Sequence, residues 1–73
     1  MVSPSAIVRE VLSRHAQLPA SDDAPVELSS FAMVEVVEGL EDAFGIQITA
    51  AQVTPENFRS VASIAALVTR GAK

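Results

Sequence analysis

The chain has no cysteine. Disulfides cannot brace it, and cysteine usage says nothing about its redox compartment. The polypeptide therefore offers no thiol of its own for thioester chemistry, and a thiol would have to arrive on a prosthetic group. Glycine occurs only three times, with no Gly-rich loop to cradle a phosphate. No apolar run approaches the roughly 20 residues needed to span a bilayer, so no membrane association is expected. The first residues, Met-Val-Ser-Pro-Ser, lack the basic region and apolar stretch of a signal peptide, which makes the cytoplasm the expected location. Lys and Arg are missing between Arg14 and Arg59, and every acid except Glu10 falls in that interval. The net charge is −4, but it is this distribution that matters. The middle of the chain presents a negative surface that repels phosphate backbones, which argues against nucleic-acid binding. The same surface attracts a basic patch on another protein and speeds that encounter.

At 73 residues the chain is expected to form one domain over 1–73, with a modest core and marginal stability. It contains no internal repeat, no low-complexity segment and no His/Cys metal spacing.

The informative stretch runs from Leu28 to Gly45 and reads as one helix. Ser29 and Ser30 stand where an N-cap is wanted, because a short hydroxyl can accept a hydrogen bond from a free N–H of the first turn. Gly45 stands where a left-handed C-cap is wanted. On a helical wheel Met33, Val36, Val37, Leu40, Ala43 and Phe44 share an arc that should face a core. Glu35, Glu38, Glu41 and Asp42 fall opposite. Phe31 and Val34 lie among these acids. Single exposed apolar residues mean little, but two of them one turn apart, framed by acids and beside a capping serine, are better explained by a partner surface.

Elsewhere, Ser3 and Pro4 open a first helix as cap and first residue. Ile7, Val8, Val11 and Leu12 share its apolar side, with Leu18 in line if the helix extends, and Pro19 ends it. His15 falls within the apolar arc near the helix end, where a packing role is expected. Residues 19–27 form a long connection in which Asp22, Asp23 and Glu27 read as solvated charges. Their spacing does not fit a calcium loop. Ile46 and Ile48 suggest an extended segment pinned to the core, and Ala50 to Val53 a turn of helix. Thr54 and Pro55 read as the start of another short helix anchored by Phe58. The last helix starts near Ser60, buries Val61, Ile64, Ala65, Leu67 and Val68, and stops at Gly71, with Arg70 at the negative end of its dipole.

Ser30-Phe31 with Val34, Glu35, Leu40, Glu41 and Phe44-Gly45-Ile46 resembles the second helix of acyl and peptidyl carrier proteins. The run from Pro55-Glu56-Asn57-Phe58 through Ser60-Val61 to Ile64 is similar to their closing part, so the resemblance covers nearly the whole chain. In that family a serine at the start of the second helix carries a 4'-phosphopantetheine arm within an Asp-Ser-Leu motif preceded by a glycine. Here Ser29 occupies the Asp position, Phe31 the Leu position and Glu27 the glycine position.

The resemblance implies an all-α fold: a small bundle of three longer helices plus one short helix, with a long loop between the first and second helices. It implies a carrier, not an enzyme. Ser30 would hold phosphopantetheine, derived from coenzyme A, and the arm's thiol would hold an acyl or aminoacyl group as a thioester for fatty acid, polyketide or nonribosomal peptide assembly. Expected partners are a phosphopantetheinyl transferase, a loading ligase or transferase for acyl or aminoacyl groups, and downstream synthase enzymes with basic patches. They would read Ser29, Phe31, Val34, Glu35 and Glu38. The initial Met and single domain suggest a free-standing, monomeric carrier. One alternative is a non-carrier acidic helical interaction module using the same face. A small enzyme is the other, and it would need a base beside Ser29 or Ser30.

Overall fold

Three α-helices and one 3₁₀ turn form the regular structure of the computed structural model, which describes residues 2–71. Helix α1 spans Pro4–Ser13. The Ser3 side chain accepts a hydrogen bond from the Ala6 amide at 3.2 Å, and Pro4 occupies the position where its missing N–H costs nothing. Val8, Val11 and Leu12 are buried.

The helix ends well before Pro19. Both the His15 and Ala16 amides turn back onto the Leu12 carbonyl, at 2.9 and 3.0 Å. The early turn sends the chain back along α1. Arg9 Nε then donates to Asp22 Oδ1 at 2.7 Å, and its Nη2 donates to the Pro19 and Ala20 carbonyls at 2.8 and 2.9 Å. Asp22 is therefore not a solvated loop charge but part of a clamp that folds the connection onto α1. Asp23 and Glu27 are exposed, as expected. The connection is also tied to the far end of the chain. Val26 N donates to the Arg59 carbonyl at 2.8 Å, Ala62 N donates to the Asp22 carbonyl at 2.9 Å, and Pro25 pairs with Ser60 in an isolated bridge.

Helix α2 spans Ser30–Phe44 and ends at Gly45, whose φ of 63° is left-handed, a conformation glycine adopts without a Cβ penalty. Val36 and Leu40 are fully buried, while Met33, Val37 and Phe44 pack partly against the core. Ala43, at the edge of the apolar arc and on the last turn, is exposed. Gly39 permits the close approach to α1: a Cβ there would lie 2.9 Å from Val11 Cγ1.

Ile48 is buried and leads into the 3₁₀ turn Ala50–Gln52. The expected helix at Thr54-Pro55 is only a turn. Asn57 N donates to Thr54 Oγ1 at 3.1 Å and Phe58 N to the Thr54 carbonyl at 3.0 Å. It cannot propagate, because Ser60 is extended, with φ −149° and ψ 167°, to cap the next helix and to bridge Pro25. Helix α3 spans Val61–Thr69, opened by reciprocal Ser60–Ser63 bonds: Ser63 N to Ser60 Oγ at 3.1 Å and Ser60 N to Ser63 Oγ at 2.9 Å. Val61, Ile64, Ala65, Leu67 and Val68 are all buried. They join the α1 and α2 side chains and Phe58 in one core. No helix among the described residues is long and apolar enough to cross a membrane.

Candidate functional site

Two adjacent serines at the start of α2 have separate roles. Ser29 is the N-cap, with extended φ −68° and ψ 164°. Its Oγ accepts from the Ala32 amide at 3.1 Å, and its carbonyl accepts from Met33 N at 2.8 Å. Ser30 is the first helical residue and is exposed. Among the described residues no hydrogen bond engages its hydroxyl, which therefore projects uncommitted from the helix end. The Ser30 and Phe31 amides precede the first intrahelical bonds and are free to meet solvent or an anion. The helix dipole adds a partial positive charge at the same point. A hydroxyl on the rim of such a site can be esterified to a phosphate, which the free amides would then help to hold.

The face below Ser30 is apolar and acidic. Phe31 is 78% exposed and Val34 56% exposed. Glu38 is exposed and Glu35 half-buried. The i, i+3, i+4, i+7 spacing of Phe31, Val34, Glu35 and Glu38 places them along one side of α2. The structure thus brings together the candidate residues Ser29, Ser30, Phe31, Val34, Glu35 and Glu38 on a single helix end and its adjoining face.

Glu41, like Ala43, is a residue of α2 that periodicity misplaced. It falls on the acidic side of the wheel, yet it is half-buried, and its Oε2 accepts from the Ile48 amide at 2.8 Å. That bond fixes the segment after α2 against the helix. Only the path of the chain beyond Gly45 creates it, so no local pattern could signal it.

His15 is half-buried in the turn after α1 and lines an open groove that also borders Glu27 and Ser29. No hydrogen bond joins it to either serine among the described residues, so the geometry assembles no nucleophile and base. No group of three or more His, Cys, Asp or Glu among the described residues could hold a metal ion.

No protein-family model matches the chain. It is 32% identical over 68 residues to the aminoacyl carrier protein of Agrobacterium fabrum, a match covering 82% of this chain and 82% of that protein. It is 34% identical over 67 residues to aminoacyl carrier protein 2 of Bradyrhizobium diazoefficiens, covering 86% of this chain and 75% of that one. The fold superimposes on a chain in the crystal structure of an engineered Bradyrhizobium japonicum glycine:[carrier protein] ligase complexed with carrier protein from Agrobacterium tumefaciens and ATP. The TM-score is 0.76 at 32% identity, over 92% of this chain and 97% of that chain. The corresponding complex with AMP gives a TM-score of 0.75 at 33% identity, over 89% of this chain and 97% of that chain.

Proposed function

The chain belongs to the acyl and peptidyl carrier protein family, and we propose that it carries its cargo on a 4'-phosphopantetheine arm attached to Ser30. The division of labour at the start of α2 carries this reading. Ser29 Oγ is committed to the Ala32 amide, whereas Ser30 Oγ is exposed and uncommitted. A modifying enzyme can reach Ser30 without dismantling the cap. The arm supplies the thiol that the polypeptide lacks and on which the cargo is held as a thioester.

The chain's own residues bind and present. The Ser30 and Phe31 amides and the dipole of α2 hold the phosphodiester. Phe31 and Val34 offer apolar contact to an enzyme, and Glu35 and Glu38 steer a basic rim toward Ser30. The cargo best supported is an amino acid, because the relatives at 32% and 34% identity are aminoacyl carriers. The loading partner best supported is an amino acid:carrier protein ligase, because the solved neighbours are carriers in complex with a glycine ligase.

An intact mass spectrum of the chain co-expressed with a phosphopantetheinyl transferase, with coenzyme A supplied, tests the attachment. Wild type should gain one arm, Ser29→Ala should still gain it, and Ser30→Ala should gain none. An arm on Ser30→Ala would overturn the assignment, and an unmodified wild type would favour an interaction module without cargo.

A further inference from the structure

Residues 19–27 run from the end of α1 to the head of α2, and none of them is buried. The apolar anchors stand at either end: Leu18 before the segment and Leu28 after it pack against the core. Between the anchors polar bonds hold it. Among the described residues, five hydrogen bonds tie residues 19–27 to the rest of the chain. Two are main-chain bonds to the start of α3, from Val26 N to the Arg59 carbonyl and from Ala62 N to the Asp22 carbonyl. The other three all come from Arg9, to Asp22 Oδ1 and to the Pro19 and Ala20 carbonyls. Asp22 is thus a junction. Its carboxylate meets α1, and its carbonyl takes an amide that the first turn of α3 leaves without a helical partner.

A segment without buried apolar residues opens at a lower cost than the bundle beneath it. The Arg9 bonds are charge-assisted, and a planar guanidinium can meet several oxygens at once. The two main-chain bonds are neutral and weaker. Without Arg9 the ordering of the whole segment would rest on them, against the entropy that ordering loses. The Arg9 and Asp22 side chains are 30% and 41% exposed, so water can reach this contact without opening the core.

The far end of the segment leads into the candidate site. Val26 is pinned to Arg59, and three residues later Ser29 caps α2. Leu28 and Met33 stand just before the cap and at the fourth helical position, the pair that fixes a chain's entry angle into a helix. Both line the groove that Pro25 and Val26 wall on the other side. Moving Pro25 and Val26 therefore disturbs that entry, and with it Ser30.

We infer that Arg9 is a positioning residue for Ser30: it latches residues 19–27 as a strap across α1 and α3, and the strap opens as a unit when Arg9 lets go. This rests on the attachment at Ser30 proposed above and adds a conformational control to it.

The test uses Arg9→Gln in the full chain, which removes both the charge and the fork. In wild type the Val26 and Ala62 amides should exchange with solvent faster than the core amides of Leu40 and Leu67, through local opening. In Arg9→Gln they should exchange at least about tenfold faster again, with Leu40 and Leu67 still protected. The KM for arm transfer by a phosphopantetheinyl transferase should rise about two- to fivefold with kcat kept, because apparent affinity falls by the fraction still latched. Arg9→Lys keeps the charge but not the fork and should fall between. Val68→Ala, a core change near the far end of α3, should melt lower but keep the wild-type KM. A wild-type KM in Arg9→Gln, or a raised KM in Val68→Ala, would overturn the inference. So would Val26 and Ala62 amides that exchange only together with the core in both forms. Intact masses separate the two claims. An arm on Ser30 with an unmoved KM removes only the positioning role. No arm on Ser30 in wild type removes the attachment and the positioning role with it.

Discussion

Helices α2 and α3 are used in opposite ways. The shorter, α3, buries five of its nine residues: Val61, Ile64, Ala65, Leu67 and Val68. The longer, α2, fully buries only Val36 and Leu40 of its fifteen. It also leaves Phe31 78% and Val34 56% exposed. A helix that served only to close the core would have no reason to be two-thirds as long again and to place aromatic surface in water. In α3 the side chains face inward and hold the bundle together. The surplus of α2 faces outward, on the face proposed above to meet partner enzymes.

Substitutions can break this contrast, and the largest effects should fall in the core. Ile64→Ala or Leu67→Ala in α3 should cost about 2–5 kcal/mol, most of the stability of a domain this small. Leu40→Ala should match them, because it is one of the two α2 side chains fully inside. Phe44→Ala should cost less, since Phe44 only packs on the core's edge. Urea titrations of the four variants would rank them. A Phe44 variant worse than Leu40→Ala would misplace the inner face of α2.

The contact between α1 and α2 should be the next most sensitive. A methyl at position 39 would meet Val11 Cγ1 at 2.9 Å. Overpacking costs about 1–3 kcal/mol, and the gain in helix propensity returns at most about 1 kcal/mol. Gly39→Ala should therefore lower the melting temperature even though alanine is the better helix former. A raised melting temperature would show that Val11 yields easily.

At the head of α2 the two serines should part company. Ser29→Ala removes the cap and should cost about 1 kcal/mol, while Ser30→Ala, with no hydrogen bond to lose, should melt like wild type. Equal losses would mean that both hydroxyls serve the fold.

The outer face should hardly affect stability. Phe31→Ala and Glu35→Lys/Glu38→Lys should each stay within about 0.5 kcal/mol of wild type. The charge reversal should nonetheless slow loading by a partner enzyme about tenfold at low salt through lost steering. Added salt should narrow that gap, because screening weakens the term in wild type too. Val34→Asp should slow loading without the same salt dependence, since it removes apolar contact. Unchanged rates for the charge reversal at low salt would leave the acidic face as solvated surface only.

The features legible in the sequence are those with local causes. Ser3 with Pro4, Ser29, Gly45, Ser60 and Gly71 mark helix ends through short-range hydrogen bonds and backbone freedom, and the structure places them so. The exposure of Phe31 and Val34 was legible because one helix sets their phase. Features set by distant chain segments were not. Helix α1 stops at Ser13 because its neighbour must double back for Pro19, Ala20 and Asp22 to reach Arg9. Glu41 turns from the wet side because Ile48 offers an amide there. In both cases a charged side chain satisfies main-chain groups brought near by the fold, and composition gives no sign of that.

The most direct test of Ser30 as the carrier position is a fragment spectrum of the loaded wild-type chain. Cleavage after Glu27 and Glu35 releases residues 28–35, which contain both Ser29 and Ser30. Fragments separating the two serines should place the whole phosphopantetheine mass on Ser30, with Ser29 unmodified. The arm on Ser29, or on a peptide outside residues 28–35, would contradict the account.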